Sequence, residues 1–249
     1  MEPFSTSDDL GLVKKSARWV TKLLSREQML ERVRISNNFV AAVNRCSLAM
    51  LYLIVTMDET LMSYHTPLTK KQSKQWILKG QPGPIKAKVQ ASRTKQMILA
   101  FFDSKGLIYS KIVPRGATAN AAYIVKALAS FMKNLKQKRP YMAAGDWWFH
   151  WNNAPMHTAA SVKNWLAARG VQMLEHPPYL PDLAPANFFL FPKLKKELAG
   201  HHLYKDDFKT VWEGVSRTVA AEDFATAFRR WYERCQKCVD IGGGYVEKS

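Results

Sequence analysis

The segment covering residues 147–191 constrains the fold more than any other, because three kinds of element follow one another within it. It opens with the aromatic run WWFHW, which is typical of a buried strand and ends at Asn152. An amphipathic helix then begins at Thr158 and is stopped by Gly170. The proline-rich turn HPPYLPDLAPA leads to Asn187, where the next apolar segment starts. We therefore expect Asn152 and Asn187 to face one crevice.

The order of the remaining elements indicates an α/β protein. A continuous apolar run over residues 50–56 is typical of a central strand, and Asp58 is expected at its C-terminal end, where sites are commonly built. Predicted strands cover residues 50–56, 97–103, 107–113, 147–151 and 171–174, and predicted helices cover 25–43, 118–138 and 158–169, with two packing helices after residue 206. The second and third strands are separated by a short turn and should form an antiparallel hairpin. This order is that of a ribonuclease H-like fold, with a mixed sheet flanked by helices.

The first predicted helix has a recognisable start. Ser25 can act as its N-cap, and Gln28 stands three residues later, as in a capping box. Apolar residues recur along one broad face of this helix. The exposed face is predicted to carry the charged residues Arg26, Glu27, Glu31, Arg32 and Arg34.

The net charge of the chain indicates what kind of partner it binds. Lysine plus arginine number 37 against 20 acidic residues, which gives a net charge of +17 and favours nucleic acid as a partner. The longest apolar run is far too short to cross a bilayer and the N-terminus lacks a secretory signal, so we expect an intracellular protein without a membrane segment. Cys235 and Cys238 recur with apolar residues at helical spacing, which favours two thiols on a helix face over a zinc site.

Three short motifs carry a resemblance to a known family. Residues 55–60 read VTMDET, residues 150–157 read HWNNAPMH, and residues 179–187 read YLPDLAPAN. They resemble VTxDET, HxDNAxxH and YSPDLAPxD, the motifs of the mariner branch of the Tc1/mariner DNA transposases, in the same order. The spacing agrees, with 34 residues between Asn152 and Asn187. The family has aspartate at all three catalytic positions, whereas two of the three are asparagine here.

The resemblance implies a catalytic domain that cleaves DNA at transposon ends and transfers the freed strand to target DNA, in the nucleus and as a homodimer. Asp58, Asn152 and Asn187 are then the catalytic positions and the ligands for Mg²⁺ or Mn²⁺. Such chemistry uses two divalent ions roughly 4 Å apart, which prefer anionic oxygen ligands. Because two carboxylates are replaced by neutral amides, we expect weak ion binding and impaired cleavage. Two alternatives stay open: a repurposed non-catalytic DNA-binding or dimerisation module, and an active nuclease that uses Asp58 with another ligand.

The resemblance also suggests how the chain is divided. Residues 1–24 hold an N-terminal segment and a stretch similar to the family's linker, and residues 25–249 correspond to its catalytic domain. We expect this chain to lack the helix-turn-helix units that precede the linker in the family. The linker implies a contact with a partner subunit, with docking on its own domain as the alternative. Trp19 in the linker and Trp76 further along are the candidate dimer contacts, because both are large apolar groups in polar surroundings.

Residues 64–96 form a basic stretch without acidic residues, interrupted by three prolines and two glycines. In the family the corresponding region is a clamp loop, an arm that reaches the other subunit. The alternative is a solvated basic loop near DNA, and either arrangement implies phosphate contacts. The candidate DNA-binding residues are Lys70, Lys71, Lys74, Lys79, Lys86, Lys88, Arg93 and Lys95 in this arm, together with His157 beside the site.

Three acidic residues near the motifs are weighed as replacements for the missing carboxylates. Glu59 should face away from Asp58 if the strand continues. Asp146 should lie at the far end of the aromatic strand, and Asp182 should cap backbone amides in its turn. None of the three is predicted to complete the site. His157 could orient the turn that follows the aromatic strand or contact a substrate phosphate, and the first role is favoured.

Overall fold

The structure is a computed structural model that describes residues 20, 22–87, 90–91, 94–176, 181–201, 203 and 207–246. Its strands are β1 (Ile54–Ser63), β2 (Lys95–Asp103), β3 (Gly106–Ile112), β4 (Trp148–His150) and β5 (Gln172–Leu174). They form one sheet in the order β3-β2-β1-β4-β5. The pairs β1–β2 and β2–β3 are antiparallel, whereas β4 lies parallel to both β1 and β5. The predicted mixed sheet and the predicted hairpin are both confirmed.

Helices cover both faces of this sheet. They are α1 (Arg26–Cys46), α2 (Ala121–Lys138), α3 (Pro140–Ala143), α4 (Pro155–Thr158), α5 (Ala160–Ala167), α6 (Phe191–Glu197), α7 (Phe208–Arg217) and α8 (Ala221–Asp240). Helices α1, α6, α7 and α8 share one buried cluster with Ile54, whereas α2 and α5 share the other with Val55. Neighbouring residues of a strand point to opposite faces, so β1 contributes to both clusters.

The first strand differs from its prediction. The sequence predicts a strand over residues 50–56, but Leu48–Leu53 forms a 3-10 turn that precedes β1. The apolar character of this turn reflects burial and not an extended backbone, since Met50 and Leu51 are both buried. Strand β4 pairs with the first three residues of β1 only, while the pairing with β2 continues to the end of the strand. Asp58 therefore lies inside β1, just past the point where β4 ends, and not at the strand's C-terminal end.

Helix α1 begins as predicted but differs at one residue. The Ser25 hydroxyl accepts the Gln28 N–H, and the Gln28 side chain accepts the Ser25 N–H, which completes the capping box. Arg32, which is predicted on the exposed face, is completely buried. It shares the spacing of the buried Ile35 and Phe39, three and seven residues on, and so lies on the same helix face. The prediction for Arg32 is therefore wrong.

Two further predictions concern the thiols and the membrane. Cys235 and Cys238 are buried on α8, as predicted for thiols on a helix face, and burial raises the pKa of Cys235. No helix in the described ranges combines the length and the apolar character needed to cross a membrane.

The described residues 66–87 of the basic stretch form an exposed arm between β1 and β2 and contain no helix or strand. Hydrogen bonds join the base of the arm to the rest of the chain. There the Tyr64 N–H donates to the Thr94 carbonyl at 3.2 Å, and the Gln72 side chain donates to the Lys196 carbonyl at 2.9 Å. Trp76 is fully exposed near the far end.

Candidate active site

Three elements bring the predicted triad together. Asp58 lies within β1, Asn152 follows β4 by two residues, and Asn187 lies in a π-helical turn, Ala186–Leu190, that leads into α6. The Asn152 amide nitrogen donates to Asp58 Oδ1 at 3.0 Å, and the Asn187 amide nitrogen donates to Asp58 Oδ2 at 2.5 Å. The convergence predicted from the motif spacing is therefore present in the structure.

The Asp58 carboxylate is buried, with 6% of the residue exposed. A third donor, the Glu59 backbone N–H, reaches Oδ1 at 2.8 Å. Burial raises the pKa of Asp58 to about 7, and the negative charge of Glu59 adds to this rise, whereas the hydrogen bonds from Glu59 and Asn187 act against it. The site therefore holds a carboxyl group whose charge is poorly compensated by its surroundings.

Asn152 is fixed by two hydrogen bonds at once. Its side-chain oxygen accepts the Ala154 N–H at 3.0 Å, which closes a tight turn at the start of α4, while its nitrogen serves Asp58. Turning the amide by half a rotation to present the oxygen to Asp58 would break the hydrogen bond to Ala154 and bring two acceptors together. The observed orientation is the one that satisfies both partners.

His157 lies behind the triad and is completely buried. Its ring stacks on Trp151 with centroids 4.5 Å apart, Nδ1 faces the Asn152 carbonyl at 3.0 Å, and Nε2 faces the Glu59 carboxylate at 2.7 Å. Both ring nitrogens are thus engaged inside the protein, and neither is left for a phosphate. These contacts favour the predicted role of His157 in orienting the turn after β4, and its assignment as a DNA contact stays a prediction. Glu59 faces away from Asp58, as predicted.

Asp182 belongs to a different arrangement, which we call the Arg32–Asp182 clasp. The Arg32 guanidinium donates to both carboxylate oxygens at 3.2 and 2.8 Å and also to the backbone carbonyls of Gly243 and Gly244. Asp182 in turn accepts the Val246 N–H at 2.8 Å. The clasp joins α1, the turn that precedes Asn187 and the end of the described chain. Asp182 has the predicted structural role, but the amide it accepts belongs to Val246 and not to its own turn, and its ion pair with Arg32 is not foreseen.

A series of buried polar side chains joins β1, β4 and the segment that follows β5. Thr56 Oγ1 lies 2.8 Å from His150 Nδ1, and His150 Nε2 lies 2.8 Å from His176 Nδ1. Burial lowers the pKa of both rings, for His176 to about 4, so both imidazoles are neutral near pH 7. Sequence spacing gives no signal for this pair, because the two histidines are joined by the parallel alignment of β4 and β5.

The donor set does not fit a centre of two divalent ions. Within the described ranges, no group of three or more histidine, cysteine or acidic side chains is placed to hold a metal. Asp58 is the single carboxylate of the triad, Asp182 is bound in the clasp, and Asp146 is exposed before β4. Two neutral amides add no anionic charge for a hard cation.

The surface residues predicted to contact DNA or a partner subunit are only partly described. Lys70, Lys71, Lys74, Lys79, Lys86 and Lys95 are exposed along the arm. Lys88, Arg93 and Trp19 lie outside the described residues, as does Tyr179 of the third motif. Trp76 projects into solvent, and the apolar side chains of Leu78 and Ile85 on the same arm are also exposed.

Comparisons with known proteins agree on one family. Residues 66–144 match a family model described as "Transposase (partial DDE domain)". The Mos1 mariner transposase of Drosophila mauritiana is 30% identical over 244 residues, covering 96% of this chain and 69% of that protein. The histone-lysine N-methyltransferase SETMAR of Homo sapiens is 26% identical over 241 residues, covering 96% of this chain and 34% of that protein.

Solved structures give the same result for the fold. A Mos1 paired-end complex with Mn is 29% identical with a TM-score of 0.82, covering 96% of this chain and 70% of that one. The Mos1 catalytic domain is 27% identical with a TM-score of 0.76, covering 92% of this chain and 100% of that one. The ribonuclease H-like fold predicted from the order of elements is confirmed.

Proposed function

Because this chain belongs to the mariner family of DNA transposases, we propose that it acts on DNA as a transposase catalytic domain whose strand cleavage is impaired. One observation carries the proposal: both oxygens of Asp58 accept hydrogen bonds from the amide groups of Asn152 and Asn187. The meeting of these three side chains in one crevice supports the assignment of their positions as the family's catalytic ones. The chemistry of the crevice is changed, because two anionic oxygens are replaced by neutral amides.

The missing charges set the size of the defect. Two unit charges 4 Å apart interact by about 4 kcal/mol at the effective dielectric constant of a protein surface, and a divalent ion doubles that attraction. Losing two carboxylates therefore weakens ion binding by several kcal/mol. Relatives have been solved with Mn and with Mg. For this chain we infer at most one weakly held ion, at Asp58.

The amides also obstruct the entry of an ion. Asn152 would have to give up its hydrogen bond to Ala154 before its oxygen could turn toward a cation beside Asp58. Asn187 is exposed and freer to turn, but it too would leave Asp58. The hydrogen bonds within the triad therefore compete with a cation for the oxygens of Asp58.

We also propose that this chain binds DNA and forms a dimer. Exposed lysines along the arm and the net charge of +17 support contact with phosphate groups. Relatives have been solved as paired-end complexes with a transposon end. Trp76, fully exposed on the arm, supports a contact with a second subunit. A protein that acts on transposon DNA in this family works in the nucleus, and we infer the same location for this chain.

The test restores the charges and measures cleavage. With Mn²⁺ present, the unmodified chain should leave a supercoiled plasmid almost intact, whereas the double variant Asn152→Asp/Asn187→Asp should nick it. Asn164→Asp on α5 adds a charge at an exposed position and serves as the control. All three proteins should bind a duplex with similar affinity and lose affinity steeply as salt rises. Efficient nicking by the unmodified chain, or none by the double variant, would refute impairment at this triad.

A further inference from the structure

A second concave surface lies along the sheet edge formed by β3, two strands away from Asp58. This β3 groove has a volume of about 860 Å³ and runs between β3, the C-terminal end of α2 and α7. Its floor contains Trp212 and Phe224, which are almost completely buried, and the Trp212 indole donates to Ser110 Oγ at 3.0 Å. The groove contains none of the triad residues, so the mariner chemistry does not account for it.

On its groove side, β3 pairs with no other strand of the described sheet. Strand β3 has β2 as its single neighbour in the described sheet. The Val113 N–H donates to the Met97 carbonyl across this pair, so alternation along the strand turns the N–H and C=O groups of Ser110 and Ile112 outward. Further along, the Lys138 ammonium donates to the Ile108 carbonyl at 2.7 Å. The edge therefore offers backbone donors and acceptors together with cations.

Positive charge dominates the walls of the groove. The basic lining residues are Lys105, Lys111, Lys138, Arg139, Lys209 and Arg217. Glu213 is the acidic residue of the described lining, and it lies 3.9 Å from Lys209 and 4.0 Å from Arg217. Arg139 is already paired with Asp103 below the groove. Burial, then the charges of Arg139 and Arg217, lower the pKa of Lys138, which indicates cations that repel one another.

One buried hydroxyl in the groove also lacks a partner. Ser216 on α7 is 8% exposed, and its Oγ has no hydrogen-bond partner within the described part of the chain. Because this oxygen is itself almost inaccessible, it adds a polar group to the wall of the groove but is not a ligand contact.

We propose that the β3 groove binds an extended acidic segment of a partner protein, which pairs with β3 as an additional strand and places carboxylates among the groove's cations. Addition of a strand to an exposed sheet edge is a common mode of peptide recognition. Pairing of β3 with β3 of a second copy is disfavoured, because it would bring two basic grooves together. Single-stranded nucleic acid is disfavoured, because such binders stack bases on exposed aromatic faces, whereas Trp212 and Phe224 are buried here.

The test uses the full chain and a labelled eight-residue peptide that alternates glutamate with valine, followed by fluorescence anisotropy. The peptide should bind, and the exchange of the Ser110 and Ile112 amide hydrogens should slow on binding. A matched peptide that is N-methylated at every residue keeps the charge but has no backbone N–H to donate to β3 from either edge, and it should bind at least about tenfold more weakly. This comparison needs no change to the protein.

Charge reversal provides the second measurement. Lys209→Glu/Arg217→Glu on α7 should weaken binding of the acidic peptide by about tenfold or more, whereas Lys126→Glu, exposed on α2 outside the groove, should change it less than about twofold. Equal binding of the N-methylated peptide, or no binding of the acidic peptide, would overturn the proposal. So would a double variant that loses affinity for a DNA duplex but not for the peptide, since the groove would then be a nucleic-acid surface.

Discussion

Two carboxylates within the family motifs are both largely buried, yet their surroundings differ. Asp182 receives two hydrogen bonds from the Arg32 guanidinium and one from a backbone amide. The hydrogen-bond donors that reach Asp58 within the described chain are the neutral amides of Asn152, Asn187 and the Glu59 backbone. In the clasp, the negative charge of Asp182 is balanced by the positive charge of Arg32. Among the described residues, no cationic side chain donates a hydrogen bond to Asp58.

The largest expected effect comes from breaking the clasp. Arg32→Met leaves Asp182 buried without its cation, and removing one partner of a buried pair lowers the free energy of unfolding by about 3–5 kcal/mol. Arg34→Met, on the same helix, removes exposed pairs with Glu31 and Glu175, which solvent screens, and should lower it far less. Urea unfolding of both variants at pH 7 measures the difference. Similar losses in the two would show that the clasp does not stabilise the fold as described.

The next prediction concerns a substitution of Asp58, which should raise the free energy of unfolding instead of lowering it. Its pKa is raised to about 7 in the folded chain from an ordinary value of 3.8, so the folded state keeps a proton that the unfolded state loses in this window. The contribution of Asp58 to the free energy of unfolding therefore falls as pH rises from about 4 to 7. Asp58→Asn removes the uncompensated charge and should stabilise the chain above pH 7 by on the order of 2 kcal/mol.

The control for this prediction is the pH dependence itself. The difference in the free energy of unfolding between Asp58→Asn and the unmodified chain should be small near pH 4. At that pH the Asp58 side chain is neutral in the folded state, and much of it is still protonated in the unfolded state. Urea unfolding of the two proteins across this range gives the difference directly. An advantage that is constant with pH, or a loss of stability at pH 8, would mean that Asp58 is better compensated than its hydrogen bonds indicate.

The smallest expected changes in the free energy of unfolding come from replacing Asn152 or Asn187 by alanine, and they should differ in size. Asn152→Ala removes the hydrogen bonds to both Asp58 and Ala154, and it should lower the free energy of unfolding by about 1–2 kcal/mol. Asn187→Ala removes one hydrogen bond from an exposed side chain and should lower it by less than about 1 kcal/mol. Thermal unfolding at pH 7 ranks the two. The reverse ranking would indicate that Asn152 does not hold the turn before α4.

The convergence of the triad could be read from the sequence, because the three motifs occur in the family's order and at its spacing. The limits of β1 could not, since a buried 3-10 turn and a buried strand are equally apolar. Arg32 shows a second limit: a charged residue is assigned to the surface by type, although its spacing from Ile35 and Phe39 indicates the buried face. Its partner Asp182 is 150 residues away, and nothing local indicates the pair.

The histidines show a third limit. His157 can be placed near the site from its motif, but its role depends on Trp151 and Glu59, which only the folded arrangement brings to it. The β3 groove likewise has no motif. It arises because the hairpin edge, α2 and α7 each contribute basic residues that are dispersed along the sequence.

Calorimetric titration with Mn²⁺ tests the central claim most directly, because it measures the ion and not the later steps on DNA. The unmodified chain should bind no more than one ion, and weakly. Asn152→Asp/Asn187→Asp should bind two ions, with affinity higher by on the order of a hundredfold or more, since each restored carboxylate adds several kcal/mol of attraction. Tight binding of two ions by the unmodified chain, or no gain in the double variant, would contradict the claim that Asn152 and Asn187 deprive Asp58 of its metal ions.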